Sequence, residues 1–403
     1  MEIRTVLGID VSKATSNVAV LVNSKSVDEF KIDNDIIGFN RLRDTIDHFK
    51  AAEVVFEATG VYSRRLAYFL RVNKIPYTQL NPLQASKDLD GLRKNKTDKM
   101  DAFHLAETQF RLNREKTFIE KPVYYKLLDD NRFYQENVSD LVREKNRLHR
   151  ILQLTFPEIE GVMSEPTGVT YWNLVKEFPV PTFVKKFNID QLKAIVMECG
   201  NNHITFEDRN KIATKLMTFA SKSVTSVESD SDVIDQVRYR ASRLKEIDKV
   251  KKETIKKMAN LAKDLPEFKI LLSIPGISII TAVSLIAELG DIRRFHSTNQ
   301  LNAFVGIDLR HYESGNYTAS DRISKRGNPY ARKILYNTIR NMVSVAPKHP
   351  SHINDYYQNK KQPSPRGMKK IAIASMGRLL RTIYHLVFKN EIYDYKIASR
   401  TIY

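Results

Sequence analysis

Cysteine is almost missing from this chain. Cys199 stands alone among 403 residues, which excludes an intramolecular disulfide and any cysteine-based zinc cluster and fits a reducing compartment. Long apolar runs are missing too: none approaches the ~20 residues of a membrane-spanning helix, so no membrane partner is expected. The opening MEIRTVLGIDVSK has no signal-peptide core and reads as a strand. What the chain does not lack is apolar material, at 42%, enough for two or three domains with cores and too much for wholesale disorder.

Positive charge is in excess, with a formal net charge of +18. Residues 1–110 carry 16 Lys and Arg against 15 acids, residues 111–265 carry 28 against 23, and residues 266–403 carry 21 against 9. An anionic partner is expected, nucleic acid being the commonest, and its footprint belongs mainly to the last third. A solubility device is the plainer reading of the same charge.

Residues 1–110 alternate strand and helix patterns. Thr5–Val11, Asn17–Val22 and Val27–Ile32 are short β-branched or period-two runs, Ile36–Phe49 has helical spacing, Glu53–Ala58 is an apolar strand of the buried type, Tyr62–Val72 is a helix and Pro76–Leu80 a fifth strand. Three strands on short turns followed by two βα crossovers is the ribonuclease H-like order, a mixed α/β sheet covered by helices. Residues 111–155 lead into a long amphipathic helix over 123–155. Residues 156–230 read as a mostly helical, polar insert to which no chemistry attaches, with 221–232 as a linker. Residues 231–265 form a second long helix, whose apolar seam suits either a coiled-coil arm between protomers or a hairpin with the first. Residues 266–403 are mostly helical. Within them Ile274–Ile277 makes a tight turn before an apolar helix, open to two readings: a loop whose amides approach a DNA phosphate, or a core element. Residues 306–325 form a polar loop with hairpin character.

The chemistry concentrates in four acids. Asp10 ends the first strand and Glu57 the fourth, and in such a sheet these strands are parallel neighbours, so both carboxylates reach the lip where open α/β sheets bind ligands. Asp98 and Asp101 open a helix behind Thr97, a natural N-cap, and a spacing of three puts them on one helical face. Converging carboxylates repel, and hard divalent cations remove that cost. Mg²⁺ (or Mn²⁺) takes oxygen ligands without histidine, and two such ions assist phosphoryl transfer. Taken singly, each acid also has an ordinary explanation: a strand end, a solvated turn, or first-turn acids favoured by the helix dipole.

At these residues the chain resembles a known family. GIDVSK (8–13), EATG (57–60) and KTDKMDA (96–102) are similar to the motifs of the DEDD transposases of the insertion-sequence "one-ten" family, whose N-terminal domain is RuvC-like. The stretches 274–295, 301–315 and 322–336 resemble that family's C-terminal motifs, with Asp308–Leu309 standing where many relatives have a proline. The resemblance implies that Asp10, Glu57, Asp98 and Asp101 hold the metal. It also implies that Ser314 is the nucleophile that links to DNA, although a serine before a glycine in a polar loop reads, by itself, as a turn. Ser320, Ser324, Tyr312 and Tyr317 are its rivals. Arg310, Arg322, Lys325, Arg326 and Arg332 are expected to bind phosphates, with a solvated basic face as the alternative, and residues 360–370 to touch backbone.

A transposase or site-specific recombinase in the cytoplasm of a bacterial or archaeal cell is therefore expected. The resemblance further implies serine-linked intermediates, DNA at the element ends and target, a structured guide RNA, and a homo-dimer or homo-tetramer. Three other readings share these residues: a DNA invertase of the same family, a RuvC-like junction-resolving nuclease using water, and a non-catalytic nucleic-acid-binding protein.

Overall fold

Alternating apolar residues between short turns produce five strands at the N-terminus: β1 (Thr5–Val11), β2 (Thr15–Val22), β3 (Lys25–Asp33), β4 (Glu53–Glu57) and β5 (Tyr77–Leu80). The computed structural model describes residues 3–400 except 50–51, 83–84, 86–97, 201–203, 311–312, 315–316, 319–321 and 363–366, and of residues 98, 310, 313, 314, 317 and 318 the backbone alone. The sheet order is β3-β2-β1-β4-β5. β1 to β3 form an antiparallel meander, and β4 lies parallel to both β1 and β5. Parallel neighbours need crossovers, and two helices, Ile36–His48 and Ser63–Val72, supply them. Their apolar stripes, Phe39, Leu42 and Ile46 with Leu66, Phe69 and Leu70, bury one face of the sheet against Leu7, Ile9, Val54 and Phe56. The alternate residues Val6, Ala19, Leu21 and Val55 bury the other face under a third helix, Asp98–Leu112.

The chain divides into two units, Met1–Ile119 and Glu120–Tyr403. The first extends past its last helix because the following strap lies along β5: the Thr117 amide donates to the Tyr77 carbonyl at 2.8 Å, and the Gln79 amide donates to the Thr117 hydroxyl at 2.8 Å.

In the second unit the two long amphipathic patterns become the helices Pro122–Thr155 and Asp232–Ala262, packed as an antiparallel hairpin. Lys257 reaches Asp130 at 2.8 Å near one end and Arg240 reaches Glu144 at 3.0 Å further along. The seam of the second helix is therefore spent inside the chain, with Val237, Ala241, Leu244 and Ile247 buried, and the hairpin is the arrangement found. Residues 156–230 close the far end of this hairpin. Their helices Val169–Glu177, Ile189–Cys199 and Phe206–Lys222 enclose Trp172, Phe178, Leu192 and Leu216 in one core with Leu148 and Leu152 of the first long helix. This insert is a cap that shares its core with the ends of both long helices, a role that local patterns do not disclose because the partners of its short helices lie far away in the chain.

The near end of the hairpin, through Leu127 and Met258, joins a second core built from Pro266–Leu272, Ile279–Leu289, Thr298–Val305, Pro329–Val345, His352–Lys361 and Met368–Lys389. Met368–Lys389 is the one described helix long and apolar enough, by composition, to cross a membrane. Its Ala372, Met376, Leu379, Leu380 and Ile383 are buried in this core.

Candidate active site

Asp10 and Glu57 are brought together by register and by alternation. Ile9 pairs with Phe56 across the parallel β1/β4 ladder, so the next residues on each strand are neighbours, with the strands ~4.8 Å apart. Side chains alternate across a strand. Asp10 shares its face with Gly8 and Val6, and Glu57 shares its face with Val55 and Glu53, and all of these belong to the side covered by the Asp98–Leu112 helix. The loop after Glu57 is pinned to the same edge, because the Thr59 hydroxyl donates to the Val11 carbonyl at 3.1 Å.

The helix carrying the other two acids runs antiparallel to β1, and two contacts set its direction. At its C-terminal end Arg4 forms a two-pronged ion pair with Glu53, at 2.6 and 3.0 Å, while also reaching the carbonyls of Gln109 and Phe110. This guanidinium holds the Glu53 carboxyl below the usual carboxylate range. Four residues along β1, Gly8 lies directly under Ala102 and Ala106. The helix N-terminus therefore points toward the Asp10 end of the strand. Position 98 lies one turn before Ala102 on the sheet-facing stripe, and Asp101 is half-buried beside it. The Asp98 side chain and Thr97 lie outside the described residues. Asp10, Glu57 and the first turn of the Asp98–Leu112 helix thus belong to one edge of one face.

These acids offer only oxygen donors, the set that a hard divalent cation accepts. Among the described residues no three His, Cys, Asp or Glu side chains are grouped so as to hold a metal ion. The Asp98 carboxylate is not in that set.

Gly8 sets the distance between helix and sheet. A Cβ added there would stand 2.0 Å from the Ala102 carbonyl oxygen and 2.7 Å from the Ala106 nitrogen, both backbone atoms. Gly8→Ala must push the whole helix off β1. It is expected to destabilise the fold by about 2–3 kcal/mol through overpacking. It should also lower catalysis about 100-fold by displacing Asp98 and Asp101 about 1 Å. Thermal melting together with a DNA-cleavage assay checks both.

The second candidate region is a nested hairpin. β6 (Leu309–Arg310) pairs with β9 (Arg322–Ile323), and inside it β7 (Glu313–Ser314) pairs with β8 (Tyr317–Thr318). Ser314 is thus at the end of the inner ladder, across from Tyr317. Arg310 and Arg322 stand opposite one another in the outer ladder. Among the rivals, Ser324 donates its hydroxyl to the Asp308 carboxylate and its amide to the Asp308 carbonyl. Asp308, the departure from the proline pattern, therefore closes the hairpin base. Tyr312 and Ser320 lie outside the described residues.

Arg322, Lys325, Arg326 and Arg332 have different surroundings. Arg322 and Lys325 are exposed and line one cleft, and Arg326 is exposed beside them. Arg332 is half-buried and donates to the Val305 carbonyl at 2.7 Å, where it braces the turn at Gly306. The Ile274–Ile277 turn buries both isoleucines, and Gly276, at φ +84°, packs against Met342 where a Cβ would collide. Packing accounts for these residues, while Ser278 and Ile279 stay exposed.

Sequence reasoning gave no role to Glu288. This carboxylate is buried and receives Asn131 at 2.7 Å, Arg132 at 2.8 Å and Asn328 at 2.8 Å. It ties the long hairpin to the segment that leads from β9 into the Pro329–Val345 helix. The available signal was a lone acid in the otherwise uncharged run IITAVSLIAEL, since a charge is kept in such a place only when it is paired.

Comparison with known proteins adds the following. Residues 7–157 match a transposase family of the DEDD type, and residues 268–358 match the transposase IS116/IS110/IS902 family. The chain is 25% identical over 395 residues, covering 96% of it and 91% of the relative, to a Coxiella burnetii protein named transposase for insertion sequence element IS1111A. It is 39% identical over 70 residues, 17% of this chain and 21% of the relative, to the Yersinia enterocolitica transposase for insertion sequence element IS1328. A Pseudomonas aeruginosa protein named probable family 20 transposase is 28% identical over 123 residues, 30% of this chain and 36% of its own length.

Proposed function

The chain belongs to the transposase IS116/IS110/IS902 family, and we propose that it cuts and rejoins DNA by phosphoryl transfer through a serine-linked intermediate. The observation that carries this reading is the convergence of Asp10 and Glu57 on the sheet face over which the Asp98–Leu112 helix begins. The strand order supports a ribonuclease H-like, RuvC-like domain around them. Asp10, Glu57, Asp98 and Asp101 would hold Mg²⁺ or Mn²⁺. When bound, the ion supplies charge neutralisation and lowers the pKa of an oxygen nucleophile.

Ser314 supplies the nucleophile. Its oxygen forms a bond to phosphorus while the bond from phosphorus to a deoxyribose oxygen breaks. The serine proton passes to a base, and the departing oxygen takes up a proton. Attack by a different DNA hydroxyl on the phosphoserine reverses these changes and reseals the strand. The opposed Arg310 and Arg322 positions, with Lys325 and Arg326 nearby, supply positive charge for the phosphate; Arg332 holds the loop that presents them.

Donor element ends and target DNA are the substrates. A structured guide RNA, pairing with both, and a homo-dimer or homo-tetramer that holds several strands together complete the reading. The excess charge of residues 266–403 accommodates such polyanions.

The test is a trapping experiment. Full-length protein is incubated with Mg²⁺, supercoiled plasmid carrying the element ends, and the element's transcript, then denatured. A band in which protein migrates covalently with DNA is expected, and chelation should remove it. DNA cut with no adduct would establish the junction-resolving nuclease that uses water. Retention of plasmid without any cutting would leave a binding protein.

A further inference from the structure

One cleft of the second unit remains without a role. It has a volume of about 1020 Å³, at the upper end of the ~300–1,000 Å³ usual for small-molecule sites. Ile307, Ile323 and Ile373 give it an apolar floor, and Tyr356 stands at its side. Around the mouth are Arg322, Lys325, Lys369, Lys370 and Arg381, all exposed. Among the described residues Asp308 is the acid that lines it, and it is already engaged by the Ser324 hydroxyl. A ligand with a flat apolar body and a negative charge suits this lining.

Two further observations narrow the ligand. Lys325 is held at φ +56° by the bond from its amide to the Gly306 carbonyl, a strained backbone of the sort found at ligand clamps. Gly377 sits in the middle of the Met368–Lys389 helix, where glycine is less favourable than alanine. A Cβ there would meet nothing closer than the Ile307 Cδ1 at 3.9 Å. Packing does not require that glycine; the space a side chain would take is the cleft.

The cleft adjoins the hairpin of Ser314. β6 and β9 form one wall, and the four residues of chain from Arg310 to Ser314 can span at most ~14 Å. We propose that this cleft receives one unpaired DNA nucleotide within a few positions of the phosphodiester that Ser314 attacks, its base on the isoleucine floor and its phosphate among the lysines and arginines of the mouth. This rests on the reading of the chain as a DNA recombinase. Extruding a base costs stacking, least where the strand is already unpaired, so the cleft selects opened DNA.

Fluorescence anisotropy of the full-length protein tests it, using a labelled duplex with a single unpaired thymidine and the same duplex without it. Wild type is expected to bind the bulged duplex about tenfold more tightly, the worth of one stacked base. Gly377→Leu, which fills the cleft from a helix position that favours leucine, should lose that preference while keeping its affinity for the uninterrupted duplex and its melting temperature. Gly377→Ala, which adds little volume, should keep the preference. Equal binding of the two duplexes by wild type, or a preference that survives in a folded Gly377→Leu, overturns the proposal and leaves the recombinase reading intact. If a third probe, an RNA duplex with one unpaired uridine, binds more tightly than the bulged DNA and Gly377→Leu weakens that complex, the assignment to DNA is overturned. Absence of binding to every probe overturns the cleft's role, while the recombinase reading is judged separately by the trapping experiment with the element's transcript.

Discussion

Ser314→Ala is expected to abolish the covalent protein–DNA adduct and to lower recombination at least 10³-fold, with DNA affinity within about threefold of wild type. The size follows from the chemistry. Without the hydroxyl no phosphoserine can form, and the residual rate is whatever water achieves in its place; removal of a covalent nucleophile typically costs a factor of this order. The structure makes the variant a clean one. Ser314 stands at the end of a two-residue ladder whose pairing with Tyr317 uses backbone atoms, and that pairing does not depend on the serine side chain. Denaturing gels of trapped complexes give the reading. If the adduct persists in Ser314→Ala and disappears in Ser324→Ala, the nucleophile is misassigned. The Asp308 carboxylate that now accepts from Ser324 would then be its base.

Asp10→Asn is expected to remove strand cleavage by 10³-fold or more, again without loss of DNA binding. An amide is close to isosteric but neutral and a weaker ligand for a hard cation, so the change acts on charge rather than shape. Stability distinguishes this from a folding defect. Converging carboxylates repel in the absence of a cation, so the melting temperature measured in chelator should not fall. A cation that binds only the folded protein stabilises it by about 2.7 kcal/mol at 100 times its dissociation constant, and this Mg²⁺-dependent rise in wild type should vanish in Asp10→Asn. An unchanged rise would place the ion elsewhere and remove Asp10 from the ligand set. The neighbouring Glu53 is the control for position: it lies on the same face of β4, but its carboxylate is committed to Arg4 and Gln109 at the opposite end. Loss of Glu53 should lower stability and leave the Mg²⁺ response in place.

The placement of Asp10 and Glu57 was legible early because it follows from local rules. Apolar runs with period two, broken by short turns, leave few ways to order five strands, and connection rules put β1 beside β4. An acid at each strand end then falls on one lip. Ser314 was not legible in that way. Its hairpin has strands of two residues, too short for any period, and only similarity to a family singled it out. The basic positions were legible as charge but not as roles. Arg332 and Arg322 look alike in sequence, and only their surroundings separate a brace for the Val305 carbonyl from a lining residue of the cleft.

By itself the sequence determined the five strands, the two long helices, the edge of the sheet that holds Asp10 and Glu57, and the concentration of positive charge after residue 266. These depend on spacing and composition within short windows. The tertiary structure decided the rest. Gly8 set how closely the Asp98–Leu112 helix approaches β1. The seam of Asp232–Ala262 was spent on Pro122–Thr155, residues 156–230 became a cap, and a lone Glu288 became a junction of three segments. The reason is physical: an apolar stripe states that a helix must be covered, but the choice of cover depends on the volumes and unpaired polar groups of segments far away in the chain, and these meet only when the chain folds.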